Sequence, residues 1–374
     1  MSYVTIRRLV LLAGLLGAAP TVLAAQTGTD QDNTPYGTTS AEFLLLGAGA
    51  RGTALGGAFS AIANDVSALY YNPAGAALMT RPGFMVGTYE YVADTRYSWG
   101  GIAFPFGGGA RVVGLQVGTF GFKDQPVYTV DDPEGNIGSV YSVSETFIGA
   151  TYAENFSDRF SAGITAKFIT DNLGDANGKA FAVDFGTNFH ASLNGHPVKF
   201  SFVLANLGTS LDYSGDALNA EVPREPLPGQ EDVPTIPQPA RFRTKSFPLP
   251  TTFRVGLSYD VVTGGNNRLT VLSDFNQPNN SRAGFSAGAE WMTRNLGGSP
   301  FSISLRGSYT YYPSNNISPK TLSTALNDEE NLQGLAGGGG IMFGQGNFSL
   351  SLDYAYKYMG ILGDTHFFSV GLGW

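Results

Sequence analysis

The stretch FSISLRGSYTY, residues 301–311, alternates without a break. Phe301, Ile303, Leu305, Tyr309 and Tyr311 share one face, and Ser302, Ser304, Arg306, Ser308 and Thr310 share the other. A period of two means β-strand, because successive side chains leave opposite sides of the pleat. The same pattern recurs along the chain. In NFSLSLDYAYK, residues 347–357, Phe348, Leu350, Leu352, Tyr354 and Tyr356 oppose Asn347, Ser349, Ser351, Asp353 and Lys357. In TFRVGLSYDV, residues 252–261, Phe253, Val255, Leu257 and Tyr259 oppose Arg254, Ser258 and Asp260. RFSAGITAKF, residues 159–168, sets Phe160, Ile164 and Phe168 against Ser161, Thr165 and Lys167.

Half-buried sheets of soluble proteins alternate too, so length and punctuation carry the distinction. The segments run about 9 to 13 residues, enough for a tilted strand to cross hydrocarbon. Aromatics gather at their ends, as in Tyr309 to Tyr312, where a membrane interface would lie. From Phe84 onward the pattern predicts about 14 strands, with the weakest at 96–106 and at the unperiodic run Gly337 to Gly340. Short Gly-, Asn- and Asp-bearing links at 107–110, 155–158, 194–196, 262–266, 294–299 and 344–345 alternate with longer ones at 123–139, 171–178, 208–249, 313–333 and 358–363. The links 93–95 and 277–280 are short on the long side. Short turns at one end and long loops at the other are the habit of outer-membrane barrels.

Composition agrees. The chain holds 50 glycines, 13% aromatics, no cysteine and 14% charged residues, against about 25% charge in ordinary soluble domains. The net charge of −8 argues against nucleic acid as a partner. At the N-terminus, Arg7 and Arg8, the apolar Leu9 to Leu16 and the small-residue site Val22 to Ala24 read as a secretory signal over 1–24. Residues 25–41 follow as a periplasmic leader, 42–83 as a plug and 84–374 as the barrel. On the last strand, His366, Phe368, Val370, Leu372 and Trp374 share a face, and the terminal aromatic resembles the signal read by barrel-assembly machinery.

Several catalytic look-alikes fail on context. Gly47 to Gly52 fits GxGxxG, but no alternating helices and parallel strands follow. Gly284 to Gly288 fits GxSxG, but Ser286 lies within an alternating run rather than at a strand-to-helix elbow. His190, His196 and His366 lack ligand spacing, and Asp131 to Asn136 reads as a solvated acidic loop rather than a calcium site. The expectation is a non-enzymatic protein with no cofactor and no metal. Lumen-side charges at Lys167, Asp184, Arg254, Asp260, Arg268, Asp274, Glu290, Arg306, Asp353 and Lys357 either pair across strands or line a solute path.

Residues 42–79 are apolar but interrupted, so they cannot span lipid. Irregular backbone at membrane depth is tolerated where protein surrounds it, which makes this segment a plug inside the barrel. Gly47, Gly49, Gly52, Gly56 and Gly57 would permit tight turns and close approach to the wall. Asn64-Asp65 would cap a helix over Val66 to Tyr71, and Asn72-Pro73 would end it, with Ala74 and Gly75 in a narrow space.

FLLLGAGARGTALGGAFSAIANDVSALYYNPAGAALM resembles the N-terminal signature of the PorV/PorQ family, within the FadL-like outer-membrane superfamily. Its NPAG, Asn72 to Gly75, is similar to the Asn-Pro-Ala element of the FadL-type hatch. FVLANLGTSLDY (202–213), FPLPTTFRVGLSY (247–259) and LDYAYKYMGILGDTHFFSVGLGW (352–374) resemble further family segments, although Phe367 replaces a usual basic residue and Trp374 a usual Phe. The resemblance implies a 14-stranded barrel with an internal hatch, set in outer-membrane lipid. It also implies a role, for which a first candidate stands ahead of an alternative. The first is type IX secretion, with the Pro-rich, acidic loop 208–249 docking secreted cargo domains. The second is FadL-like passive passage of a hydrophobic small molecule.

Overall fold

The computed structural model describes residues 35–130, 132–135, 138, 140–223, 236–311 and 334–374. The expected signal peptide, leader residues 25–34, Asp131 and Asn136, loop residues 224–235 and the 313–333 link lie outside these. One antiparallel sheet dominates. Its strands are β1 (Gly83–Glu90), β2 (Arg96–Phe106), β3 (Arg111–Pro126), β4 (Val140–Ser157), β5 (Phe160–Leu173), β6 (Ala176–Leu193) and β7 (His196–Gly208). They continue with β8 (Thr252–Gly264), β9 (Asn267–Pro278), β10 (Gly284–Thr293), β11 (Phe301–Tyr311), β12 (Leu335–Gln345), β13 (Phe348–Tyr358) and β14 (Asp364–Gly373). Each pairs with its sequence neighbour, and β1 pairs with β14 from Gly83↔Gly373 to Thr88↔Phe368, so the 14 strands close into a barrel. A short strand, Tyr213–Gly215, extends β6, and Asn219–Val222 pairs with Gln238–Arg241 as a separate hairpin.

The alternation sorts side chains as expected. Leu115, Ile148, Ile164, Phe181, Leu305 and Leu352 are exposed on the outer wall, where lipid replaces water. Gln116, Thr165, Lys167, Asp184, Asn188, Glu290 and Arg306 are buried on the inner face. The glycine run of β12 is a full strand. Its periodicity is invisible because the inward positions must be small: a Cβ on Gly338 would lie 2.9 Å from the Ala54 methyl, and one on Gly340 would lie 2.1 Å from Asp353 Oδ1.

Two loop expectations are corrected. Residues 171–178 are no long link, because β5 and β6 extend to a turn at Gly174-Asp175. The 208–249 loop is not wholly a solvated external arm. Leu211 bridges to Phe247, and Leu211 and Leu249 are buried in the hydrophobic core. The base of the loop thus folds into the mouth, because its apolar residues find the inner segment there.

That inner segment, residues 41–79, forms the core. It is built of short turns: a 3-10 turn at Glu42–Leu45, α1 (Ala50–Ala54), α2 (Ala68–Tyr71) and α3 (Pro73–Ala76). Phe43, Leu44, Leu55, Phe59, Leu69, Tyr70 and Tyr71 pack together and against Trp99, Phe147 and Ile169 of the wall. Burying each such side chain stabilises by about 1.5–3 kcal/mol. Residues 35–41 do not sit on the side of the barrel termini, as a periplasmic leader would. Ser40 N–H donates to Pro248 O and Asn280 donates to Thr39 Oγ1, which places them at the long-loop end.

Candidate functional site

Asn72 is the anchor of the inner segment. Its extended backbone (φ −159°) ends α2, and Pro73 opens α3, where proline lacks only an N–H that no helix uses. Asn72 Oδ1 accepts from Ala74 N–H at 3.1 Å. Its Nδ2 donates to Ser60 O at 2.9 Å and to Asn188 Oδ1 of β6 at 3.1 Å. One fully buried side chain therefore joins a helix cap, a distant turn and the wall. Ala74 O accepts from Ser161 Oγ at 3.2 Å, and Ala77 O from Asn155 Nδ2 at 2.7 Å. Gly75 packs on the Ala63 carbonyl, 2.0 Å from where its Cβ would stand.

The wall answers with glycines that sequence reasoning did not single out. A Cβ on Gly163 would stand 2.5 Å from the Pro73 carbonyl carbon, and one on Gly186 2.1 Å from Asn72 Oδ1. Among the predicted packing glycines, Gly56 does meet the wall, with a Cβ position 2.7 Å from Thr310 Oγ1. Gly49 makes an ordinary contact with Met85, and Gly57 has nothing close. A Cβ on Gly47 or Gly52 would meet the inner segment itself before the wall. Both face Tyr71, whose ring would lie 2.4 Å from a Cβ on Gly52. The expected cap also shifts: Asp65 Oδ1 accepts from Ser67 N–H at 2.9 Å, and the helix begins at Ala68.

Polar lumen residues serve the irregular backbone of this segment, whose carbonyls have no ladder of their own. Ser286 Oγ donates to Gly56 O at 2.9 Å, so the GxSxG serine is indeed on the lumen side. Ser308 Oγ donates to Ala54 O at 3.0 Å, and Gln116 Nε2 to Leu69 O at 2.6 Å.

The charges fall into two networks. Arg51 of α1 grips Glu290 of β10 with Nε and Nη2 at 2.8 and 2.9 Å, and reaches Asp65 at 2.8 Å. Arg306 bridges the same Glu290 at 2.8 Å and Asp353 at 2.6 Å, and Arg268 joins at 3.2 Å. Burial works against the Arg51 charge, but Glu290 and Asp65 outweigh it and hold its pKa above the ordinary value. Arg51 was not foreseen as a member; its position in a glycine-rich apolar stretch was the available signal.

The second network pairs Lys167 of β5 with Asp184 of β6 at 2.6 Å. Asn206, left-handed at φ 60°, breaks the β6–β7 register; its N–H donates to Asp184 Oδ1 and its Oδ1 accepts from Lys167 Nζ, each at 2.8 Å. Arg254 stays half-buried on the inner face, and Asp260 accepts from Thr270 Oγ1 at 2.6 Å. Phe368, Val370, Leu372 and Trp374 all face outward, with Trp374 edge-on to Phe104.

A closed 14-stranded antiparallel barrel with an apolar outer wall and a polar inner one defines a β-barrel of the bacterial outer membrane. The sequence model of an uncharacterised protein family (UPF0164) matches residues 17–98, which include the inner segment and β1. No curated protein gives a significant match by sequence. The fold resembles that of the CymD monoaromatic hydrocarbon channel, with a TM-score of 0.52 and 12% identity over 88% of this chain and 97% of that one. It is similar also to the Pseudomonas putida toluene transporter TodX, with a TM-score of 0.51 and 11% identity over 87% and 96%.

Proposed function

We propose that the barrel is a non-enzymatic conduit by which hydrophobic small molecules cross the outer membrane, with residues 41–79 as its hatch. The observation that carries this reading is the way the segment is held. Beside its apolar packing, it is tied to the lumen by single side-chain hydrogen bonds and one ion-pair cluster rather than by sheet pairing. Such contacts can be exchanged one at a time, whereas strand addition would make the segment part of the wall. The likeness in fold to channels named for monoaromatic hydrocarbons and toluene supports the same class of solute.

The test is uptake of a labelled alkylbenzene by intact cells. Deletion should lower uptake, the native chain should restore it, and a variant with NPAG replaced by four alanines should assemble but alter the rate. Uptake unaffected by deletion would remove the reading.

A second role, docking of secreted partners as the PorV/PorQ resemblance implies, draws on one feature. The Asn219–Val222/Gln238–Arg241 hairpin stands free of the barrel sheet and exposes Val222, with Ile236 and Phe242 exposed at its flanks. Co-purification of exported cargo with the native chain, lost when this hairpin is deleted, would establish it.

A further inference from the structure

The crevice between the inner segment and the β1–β14 seam is lined by Gly47, Gly49, Tyr89, Tyr97, Trp99 and Phe367, and it admits no water-sized sphere. Beyond Thr88↔Phe368 the ladder between these strands stops, although β1 runs on to Glu90 and β14 begins at Asp364. Tyr89 and Phe367 meet there through their rings, with centroids 3.7 Å apart. Tyr97, 1% exposed, has a buried hydroxyl with no hydrogen-bond partner among the described residues.

An orphaned buried hydroxyl carries a desolvation penalty that native proteins avoid unless something else uses the group. The crevice that Tyr97 lines leaves no room for a water. The inner segment contributes Gly47 and Gly49 to this crevice, and Gly49 sits at φ 77°.

We propose that this crevice is the closed form of a binding site for a single-ring apolar molecule bearing a hydrogen-bond acceptor, with Tyr97 Oη as the donor. The inference rests on the transport reading and adds to it a polar selection: an oxygen-bearing ring is preferred over a hydrocarbon of the same size. Aromatic walls from Tyr89, Trp99 and Phe367 supply ring contact. Displacement of Gly47 to Gly49 opens the space.

Trp99 lies in the crevice and reports on it. With Trp291→Phe and Trp374→Phe, it is the sole remaining tryptophan of the chain's 3. The full chain in detergent is titrated with methoxybenzene and with ethylbenzene, which are nearly the same shape. Methoxybenzene should perturb Trp99 emission at about tenfold lower concentration, the equivalent of one buried hydrogen bond. Tyr97→Phe should abolish that preference while leaving the ethylbenzene response and the thermal transition unchanged or raised, since it removes an unpaired group. Equal responses in the native background, or a preference that survives Tyr97→Phe, would overturn the site. Uptake by intact cells is measured in parallel. Loss of the preference argument with uptake intact overturns this inference alone, whereas uptake independent of the barrel overturns the transport reading.

Discussion

Gly186 of β6 lies directly against Asn72: a Cβ at that glycine would stand 2.1 Å from Asn72 Oδ1, the atom that caps α3. The wall is hollowed where the Asn-Pro step is thickest, and Gly163 does the same under Pro73. Fit between the inner segment and the wall is therefore written into two strands far from the NPAG sequence.

Gly186→Ala should loosen the hatch without unmaking the barrel. Overpacking at one methyl costs about 1–3 kcal/mol. Limited proteolysis within residues 41–79 should accelerate, while the heat-modifiable shift on detergent gels persists. An unchanged cleavage rate would show that the wall yields instead.

Glu290→Gln should be among the most damaging single changes in the lumen. Glu290 is fully buried and is shared by Arg51, Arg306 and Arg268. Removing the charge takes away the carboxylate that three arginines share and leaves only Asp65 and Asp353 to balance Arg51 and Arg306, a loss approaching the roughly 3–5 kcal/mol of a broken buried pair. Urea unfolding in detergent micelles measures it. Arg51→Ala leaves Glu290 with Arg306 and Arg268, so it should destabilise less but raise single-channel conductance in planar bilayers by freeing the hatch.

Asn206 offers a test of backbone against side chain. Asn206→Gly keeps the left-handed geometry but loses the contacts to Lys167, whereas Asn206→Val loses both. The valine variant should be less stable than the glycine variant by about 1–2 kcal/mol, the penalty of a left-handed backbone for a residue with a Cβ.

Leu305→Arg probes the outer wall. Leu305 is exposed near the middle of β11, and a cation at the bilayer midplane costs about 2–4 kcal/mol. The variant should lose folding yield in lipid. Ser302→Arg, nearer the turn end and inward, should be tolerated better.

Much of the barrel was legible because alternation is local. A strand that separates lipid from lumen must place its apolar residues at every second position, so β11, β13 and β14 announced themselves in one dimension. Strand β12 did not, since Gly338 and Gly340 leave room for Ala54 and Asp353, and absent side chains have no period. The turn at Gly174-Asp175 was read as part of a longer link because polar residues such as Asp171 and Asn172 belong to the inner and outer faces of a strand that rises past the apolar band.

Residue order alone is enough to establish a barrel, most of its strands, and an apolar, broken segment ahead of them. Alternation and breakage are properties of neighbouring residues. Folding in three dimensions settles which charges meet, that Arg51 belongs to Glu290, that Gly163 and Gly186 receive Pro73 and Asn72, and that the base of the 208–249 loop turns inward. These depend on barrel register and on the path of an irregular segment, which join residues on different elements and leave no local period to read.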